Sequence, residues 1–361
     1  MASTVWDSSV PALTSLREEV DAQLADFVSA QEQAAPGPEM APLFTTARRL
    51  LFSHGKRLRP LLCMVGWHAA GSPGDSHAVL RVAAALELFQ TFALIHDDVM
   101  DDSDVRRGGR SAHRSLAAAY SRGGGRRSRA QAHGRGAAVL LGDLFLVWSD
   151  TMLADAGLSA RARARVLPLV DSMRTELVYG QYLDLLATGR TSEDVSAALR
   201  VARYKTGKYT VERPLHIGVS LADGSPQLLQ TCTDFALPLG EAFQLRDDLI
   251  GVFGDQMQTG KPVGDDIREG KATALLALAL RDASPAKRQL LSSLVGSPEL
   301  TDENLGRVRA ILEMTGARQQ VEMMIASRRD AALAALEAAD LHPDVTATLT
   351  HIAWTATERH T

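Results

Sequence analysis

Apolar residues recur at the three- and four-residue spacing of a helix along nearly the whole chain. AVLRVAAALELFQTFALIHD (78–97), AAVLLGDLFLVWSDTMLADAG (137–157) and ALPLGEAFQLRDDLIGVFGD (236–255) are examples. That period cannot serve a strand, whose faces alternate every two residues. Strand-like alternation is hard to find, and Gly and Pro fall mostly between the periodic segments. The pattern predicts an all-α protein, a single-domain helical bundle. At 45% apolar residues over 361 positions it can bury a large core. An early break, AAPGPEMAP ending at Pro42, divides an N-terminal tail and first helix (1–35) from a catalytic domain over 36–361.

Composition mainly excludes. A net charge of -4 and a pI near 6.2 give no global field for nucleic acid or an anionic membrane. The basic segment SRGGGRRSRAQAHGRG (121–136) lacks interleaved aromatics and periodicity, and reads as a mobile solvated loop. Cys63 and Cys232, far apart in apolar surroundings, read as buried free thiols of a reducing compartment. The N-terminus has no signal-peptide pattern, and no apolar run approaches the roughly 20 residues of a membrane helix. A cytoplasmic protein without a membrane span is expected.

The chemistry concentrates in LIHDDVMDDSDVRRG (94–108), where five aspartates occupy eight positions. Asp97 and Asp101 lie one helical turn apart, so a helix puts both carboxylates on one face, with Asp98 beside them. Like charges at that spacing destabilise a helix, and the residues just before are too apolar for a solvated acidic turn. A hard cation resolves the conflict: Mg²⁺ takes one or two carboxylates and completes its shell with water and substrate phosphates. The theme returns in FQLRDDLIGVFGD, with Asp247, Asp248 and Asp255, although Gly251 holds the i+4 position. Two acidic helix segments can face each other across a bundle. Cations follow in GKRLRP (Lys56, Arg57, Arg59), RRG (Arg106, Arg107), RYKTGKYT (Lys205, Lys208), TGKP (Lys261) and REGKAT (Lys271), enough for two separate diphosphates.

From about Phe44 to Thr273 the chain resembles the trans-isoprenyl diphosphate synthases, the polyprenyl synthetase family. GKRLRP, DDVMDDSDVRRG, LLGD, GQYLDL, YKTG, FQLRDD and GKPVGDD appear in family order. The resemblance implies that Asp97, Asp98 and Asp101 form a first aspartate motif and Asp247 with Asp248 a second, binding Mg²⁺ around an allylic diphosphate. Asp97, Asp101 and Asp247 are the implied ligands. It implies that Arg106, Lys205, Lys261 and Lys271 hold the allylic diphosphate, and that Lys56, Arg59, Arg107 and Gln90 hold isopentenyl diphosphate. Thr206 and Gln244 are placed near the developing carbocation. A homodimer is also implied. The departure is DDLIG where the family often has DDxxD, which leaves the second site dependent on Asp247 and water.

Phe89, Phe92 and Ala93, one to two turns before Asp97, are expected to set product length. By resemblance an aromatic five before the first aspartate, with no insertion in DDVMD, gives geranylgeranyl diphosphate; farnesyl diphosphate is the alternative. A class I terpene cyclase should carry an Asn/Ser/Glu metal motif in place of FQLRDD, and a non-catalytic partner subunit should have lost its aspartates. Neither holds.

Overall fold

The structure is a computed structural model describing residues 11–53, 55–254, 264–297 and 299–358. Its described residues form two compact units, one within 6–64 and 73–161, the other from 65–72 and 162–361. The first contains α1 (Pro11–Gln33), α2 (Ala41–Phe52), the opening turns of α3 (Leu58–Ala69), α4 (His77–Met100), α5 (Ala112–Arg122) and α6 (Arg127–Ala154). The second contains α7 (Ala160–Ala187), α8 (Val195–Ala202), a π-helical segment Arg203–Glu212, α9 (Arg213–Leu221), α10 (Pro226–Phe253), and shorter helices up to Pro343–Thr357.

The α4 sequence is apolar on every face, and such a helix belongs in a core. It packs against α6 and α1, burying Val82, Ala83, Leu86, Leu88, Phe89 and Ile95. Its buried polar residues, Glu87, Gln90, Thr91 and Asp98, therefore need partners inside the protein. Contrary to the sequence expectation, α4 and α6 are long and apolar enough to cross a membrane. In α4, 72% of the most apolar window is nonetheless buried inside the protein.

The Gly/Arg-rich segment is also corrected. Only Gly123–Arg126 links the helices, and Arg127 already opens α6. Gly134 does not break α6, because a Cβ there would meet the His113 carbonyl at 2.3 Å. The glycine is a close-packing point between α5 and α6, and tertiary contact overrides its low helix propensity. A small hairpin, Val105–Arg106 paired with Gly109–Arg110, was not legible in the sequence. Arg107 (φ 51°) and Gly108 (φ 74°) form its two-residue loop, the doubly left-handed turn that suits hairpin twist. Both cysteines are buried and free, as expected.

In the second unit α10 packs against the π-helical segment and against the helix Ala317–Glu337. Leu245, Leu249 and Val252 of α10 share a core with Ile267, Leu275, Leu278, Val308 and Val321.

Candidate active site

In the first unit the end of α4 and the hairpin build one charge cluster. Asp101 caps α4, its N–H donating to the Asp97 carbonyl at 2.9 Å, so Asp97 and Asp101 lie one turn apart as expected. Asp98 turns inward and is 1% exposed. The hairpin brings Arg106 back onto it: Nε donates to Asp98 Oδ1 at 2.7 Å, a second bond from Nη2 reaches the same oxygen, and Nη2 lies 3.4 Å from Asp97 Oδ2. Burial opposes the charged guanidinium, but Asp98, then Asp97 and Asp101, hold its pKa above the usual arginine value. Behind the pair, Leu50, Thr91, Leu94, Ile95 and Arg107 leave a void of only about 10 Å³, no larger than a water needs.

Arg107 faces the opposite balance. Burial, with Arg57, Arg106 and Arg59 nearby, pushes its pKa down, and Glu87 only partly opposes them. Gly55 makes room for it, since a Cβ there would lie 3.0 Å from Arg107 Nη1. Such a desolvated group of cations favours an anion with several oxygens. Lys56 is exposed and Arg59 half-buried on the same turn.

In the second unit, glycines let backbones approach. A Cβ on Gly240 would meet Gly207 Cα at 2.2 Å, and one on Gly180 would meet the Lys205 nitrogen at 2.7 Å. These contacts seat the π-helical segment against α10 and α7. Thr206 Oγ1 then donates to Gln244 Oε1 at 2.6 Å, Gln244 Nε2 donates to Asp248 Oδ1 at 2.8 Å, and Lys205 Nζ donates to Asp184 at 2.7 Å. Lys271 Nζ lies 3.0 Å from Glu269 and 3.6 Å from Asp266. Lys261 and Asp255 lie outside the described residues.

Two carboxylates beside these residues were not singled out in the sequence. Asp184 stands four after Gly180, within the quoted GQYLDL. Asp266 answers the oddity of Gly251: a Cβ at Gly251 would meet Asp266 Oδ2 at 2.2 Å. The absent side chain of the second motif is thus replaced in space by a carboxylate fifteen positions later. The signal was the gap at i+4 followed by the paired aspartates of GKPVGDD.

Among the described residues no three His, Cys, Asp or Glu side chains converge into a metal cage. Carboxylates supplied singly or in pairs are nevertheless what Mg²⁺ uses when phosphates complete its shell. The electrostatics fit the ion too. Burial pushes Asp248 up to about 8; the Gln244 hydrogen bond opposes, and the charges of Asp266, Asp247 and Asp184 add to the rise. A buried carboxylate beside three others lacks a positive charge.

This yields a pH dependence. Between the unfolded value near 4 and the folded value of about 8, the native state keeps a proton that the unfolded chain has lost. Stability of the metal-free protein therefore falls as pH rises through that window. Thermal melts in chelator should show the melting temperature dropping from pH 6 to 8.5, with the slope reduced in Asp248→Asn and by Mg²⁺ with inorganic diphosphate. A slope of the opposite sign removed by Asp248→Asn would contradict it.

A family model for polyprenyl synthetases matches residues 41–314. A geranylgeranyl diphosphate synthase of Mycobacterium tuberculosis is 33% identical over 298 residues, covering 82% of this chain and 78% of that protein. A geranylfarnesyl diphosphate synthase of Aeropyrum pernix is 30% identical over 306 residues, covering 84% and 87%. The crystal structure of a geranylgeranyl pyrophosphate synthase from Corynebacterium glutamicum, complexed with isoprenyl diphosphate and magnesium, superposes with a TM-score of 0.92 at 40% identity. It covers 96% of this chain and 99% of that one.

Proposed function

The chain belongs to the polyprenyl synthetase family, and from that we propose that it condenses isopentenyl diphosphate with an allylic diphosphate, releasing diphosphate and an all-trans product of C20 length. The transferase class follows from the family; the residue roles and the product are our assignments. What supports them most is that aspartates and cations pair within each unit: Asp97 and Asp98 with Arg106 in one, and Asp184 with Lys205 and Asp266 with Lys271, beside buried Asp248, in the other.

In this reading Arg106, Lys205, Lys261 and Lys271 hold the allylic diphosphate, while Lys56, Arg59, Arg107 and Gln90 hold the isopentenyl diphosphate. Asp97, Asp101 and Asp247 would hold Mg²⁺, which when bound would supply positive charge to the leaving diphosphate. The allylic C–O bond breaks with its electron pair on that diphosphate, aided by the fixed cations. The linked Thr206 and Gln244 oxygens face the developing carbocation. The isopentenyl double bond attacks the allylic carbon, and the proton then lost goes to the released diphosphate. The apolar approach along α4 excludes water, which would otherwise trap the cation. The catalytic domain in this scheme spans 36–361 of a cytoplasmic enzyme.

Purified protein incubated with Mg²⁺, isopentenyl diphosphate and, separately, dimethylallyl, geranyl or farnesyl diphosphate tests the reading, with products identified by mass spectrometry. Failure to elongate any primer overturns it. Asp266→Ala is expected to raise the half-saturating Mg²⁺ concentration by about tenfold, the scale of a lost supporting ligand. Gly251→Asp added to Asp266→Ala should restore part of it, because the new carboxylate enters vacated space.

We also assign a homodimer. Leu140 (67% exposed) and Val147 (56%) lie one heptad apart on α6, and Val178, Tyr182, Leu185 and Leu186 line α7. Apolar stripes of this kind mark association surfaces. Sedimentation should give a dimer, and Leu140→Glu with Tyr182→Glu a monomer; a monomeric wild type contradicts the assignment.

A further inference from the structure

Arg57, between the proposed diphosphate ligands Lys56 and Arg59, has a φ of 50°, a left-handed conformation that residues with a Cβ avoid. Its carbonyl accepts from Leu61 N at 3.0 Å, opening α3. Its side chain points into the protein and is almost fully buried. Nη1 donates to Glu87 Oε1 at 2.7 Å, and Nε donates to Asp21 Oδ1 at 2.7 Å. Glu87 is itself 2% exposed in the middle of α4, three residues before Gln90. Asp21 comes from α1, which precedes the family match at residue 41.

One guanidinium therefore ties the 55–59 turn to two helices, in a backbone conformation that needs external support. Glu87 also acts on Arg107, whose electrostatic surroundings include Arg57, Arg59 and Arg106. Removing Glu87 would leave those cations repelling one another in a desolvated pocket. Arg57 is 3% exposed and its Nε and Nη1 hold Asp21 and Glu87 beneath the turn, so it acts from below the substrate-facing residues.

We infer that Arg57, Glu87 and Asp21 form a positioning element that holds Lys56, Arg59 and Arg107 in register for the isopentenyl diphosphate. This rests on the function proposed above. It makes α1 part of substrate recognition, acting through Arg57.

Steady-state kinetics with both substrates varied test it in Glu87→Gln, Glu87→Asp, Asp21→Asn and the paired apolar replacement Arg57→Met/Glu87→Leu. Glu87→Gln and the paired variant should raise KM for isopentenyl diphosphate by about tenfold or more, with kcat and the allylic KM within about twofold of wild type. Glu87→Asp, which keeps the charge, should recover part of the loss. The paired variant takes one of the crowded cations away together with Glu87, so it strands less buried charge than Glu87→Gln and its folding is expected to survive better than that variant's. A lower melting temperature or kcat with an unchanged isopentenyl KM in these variants overturns the inference, because a purely structural pair does just that. If the Glu87 variants do not fold, Asp21→Asn decides, since Asp21 is partly exposed: an unshifted KM there overturns the inference. Wild type is run alongside. If wild type makes no product the proposed reaction itself fails, whereas normal wild-type turnover with unshifted variants removes only the positioning role.

Discussion

Asp97→Ala and Asp101→Ala are each expected to lower kcat on the order of 10³-fold, about 4 kcal/mol of transition-state stabilisation, while leaving the helical circular dichroism and melting temperature intact. The two carboxylates repel each other one turn apart, so losing either relieves the metal-free helix slightly. Asp97 Oδ2 lies 3.4 Å from Arg106 Nη2, a longer contact than the bonds to Asp98. Asp98 is different. It is 1% exposed and carries both bonds from Arg106. Asp98→Ala strands a largely buried guanidinium, and breaking such a pair costs roughly 3–5 kcal/mol. That variant should lose both activity and stability. Rates at saturating substrate, measured beside thermal melts, separate the cases. Near wild-type turnover in Asp97→Ala and Asp101→Ala would remove them from the metal site, and an unaffected melting temperature in Asp98→Ala would remove its structural role.

That contrast marks the limit of what the sequence discloses. Helical period and the apolar run before Asp97 made the fold class, the buried α4 and both acidic motifs legible, because those signals are local. They did not distinguish Asp98 from its neighbours, since the difference comes from a hairpin that returns Arg106 onto it. Nor does the local pattern reveal that turn, because Arg107 takes a left-handed conformation that its residue type disfavours. Gly251 read as a missing ligand because the carboxylate in its place comes from Asp266, a tertiary substitution. Arg57 read as one more cation for a diphosphate, although its ion pair with buried Glu87 turns it into the protein. The 121–136 segment failed for the opposite reason. Its glycines signal a loop by propensity, and the contact of Gly134 with α5 turns that weakness into a packing requirement.

The largest change in product is expected from Phe92→Ala. Phe89, Phe92 and His96 form a row on α4, with ring centroids 5.2 Å apart for the first pair and 4.7 Å for the second. His96 is fixed at the upper end, Nε2 lying 3.1 Å from the Val139 carbonyl and its ring filling the space left by Gly142. Of the two phenylalanines Phe92 is half-buried, whereas Phe89 is 2% exposed and lies beneath it. The sequence reading gives both rings the same expected role in the floor, and their different burial is the basis for separating them by experiment. A chain growing from the aspartates alongside α4 reaches Phe92 about 7.5 Å down the axis, before Phe89 at about 12 Å. Phe92→Ala removes the first barrier at modest cost in stability and should shift the main product from C20 by one or more C5 units. Phe89→Ala instead opens a void under an intact ring, at about 3–5 kcal/mol of stability, and lengthens the product only as far as Phe92 sinks into it. The double variant should give the longest chains. Mass spectrometry of the three product sets decides it. A wild type already making C30 or longer, or a Phe92→Ala distribution unchanged from wild type, would place the floor on other helices. A larger shift from Phe89→Ala than from Phe92→Ala would mean that the buried ring is the true stop, with Phe92 acting only as its cover.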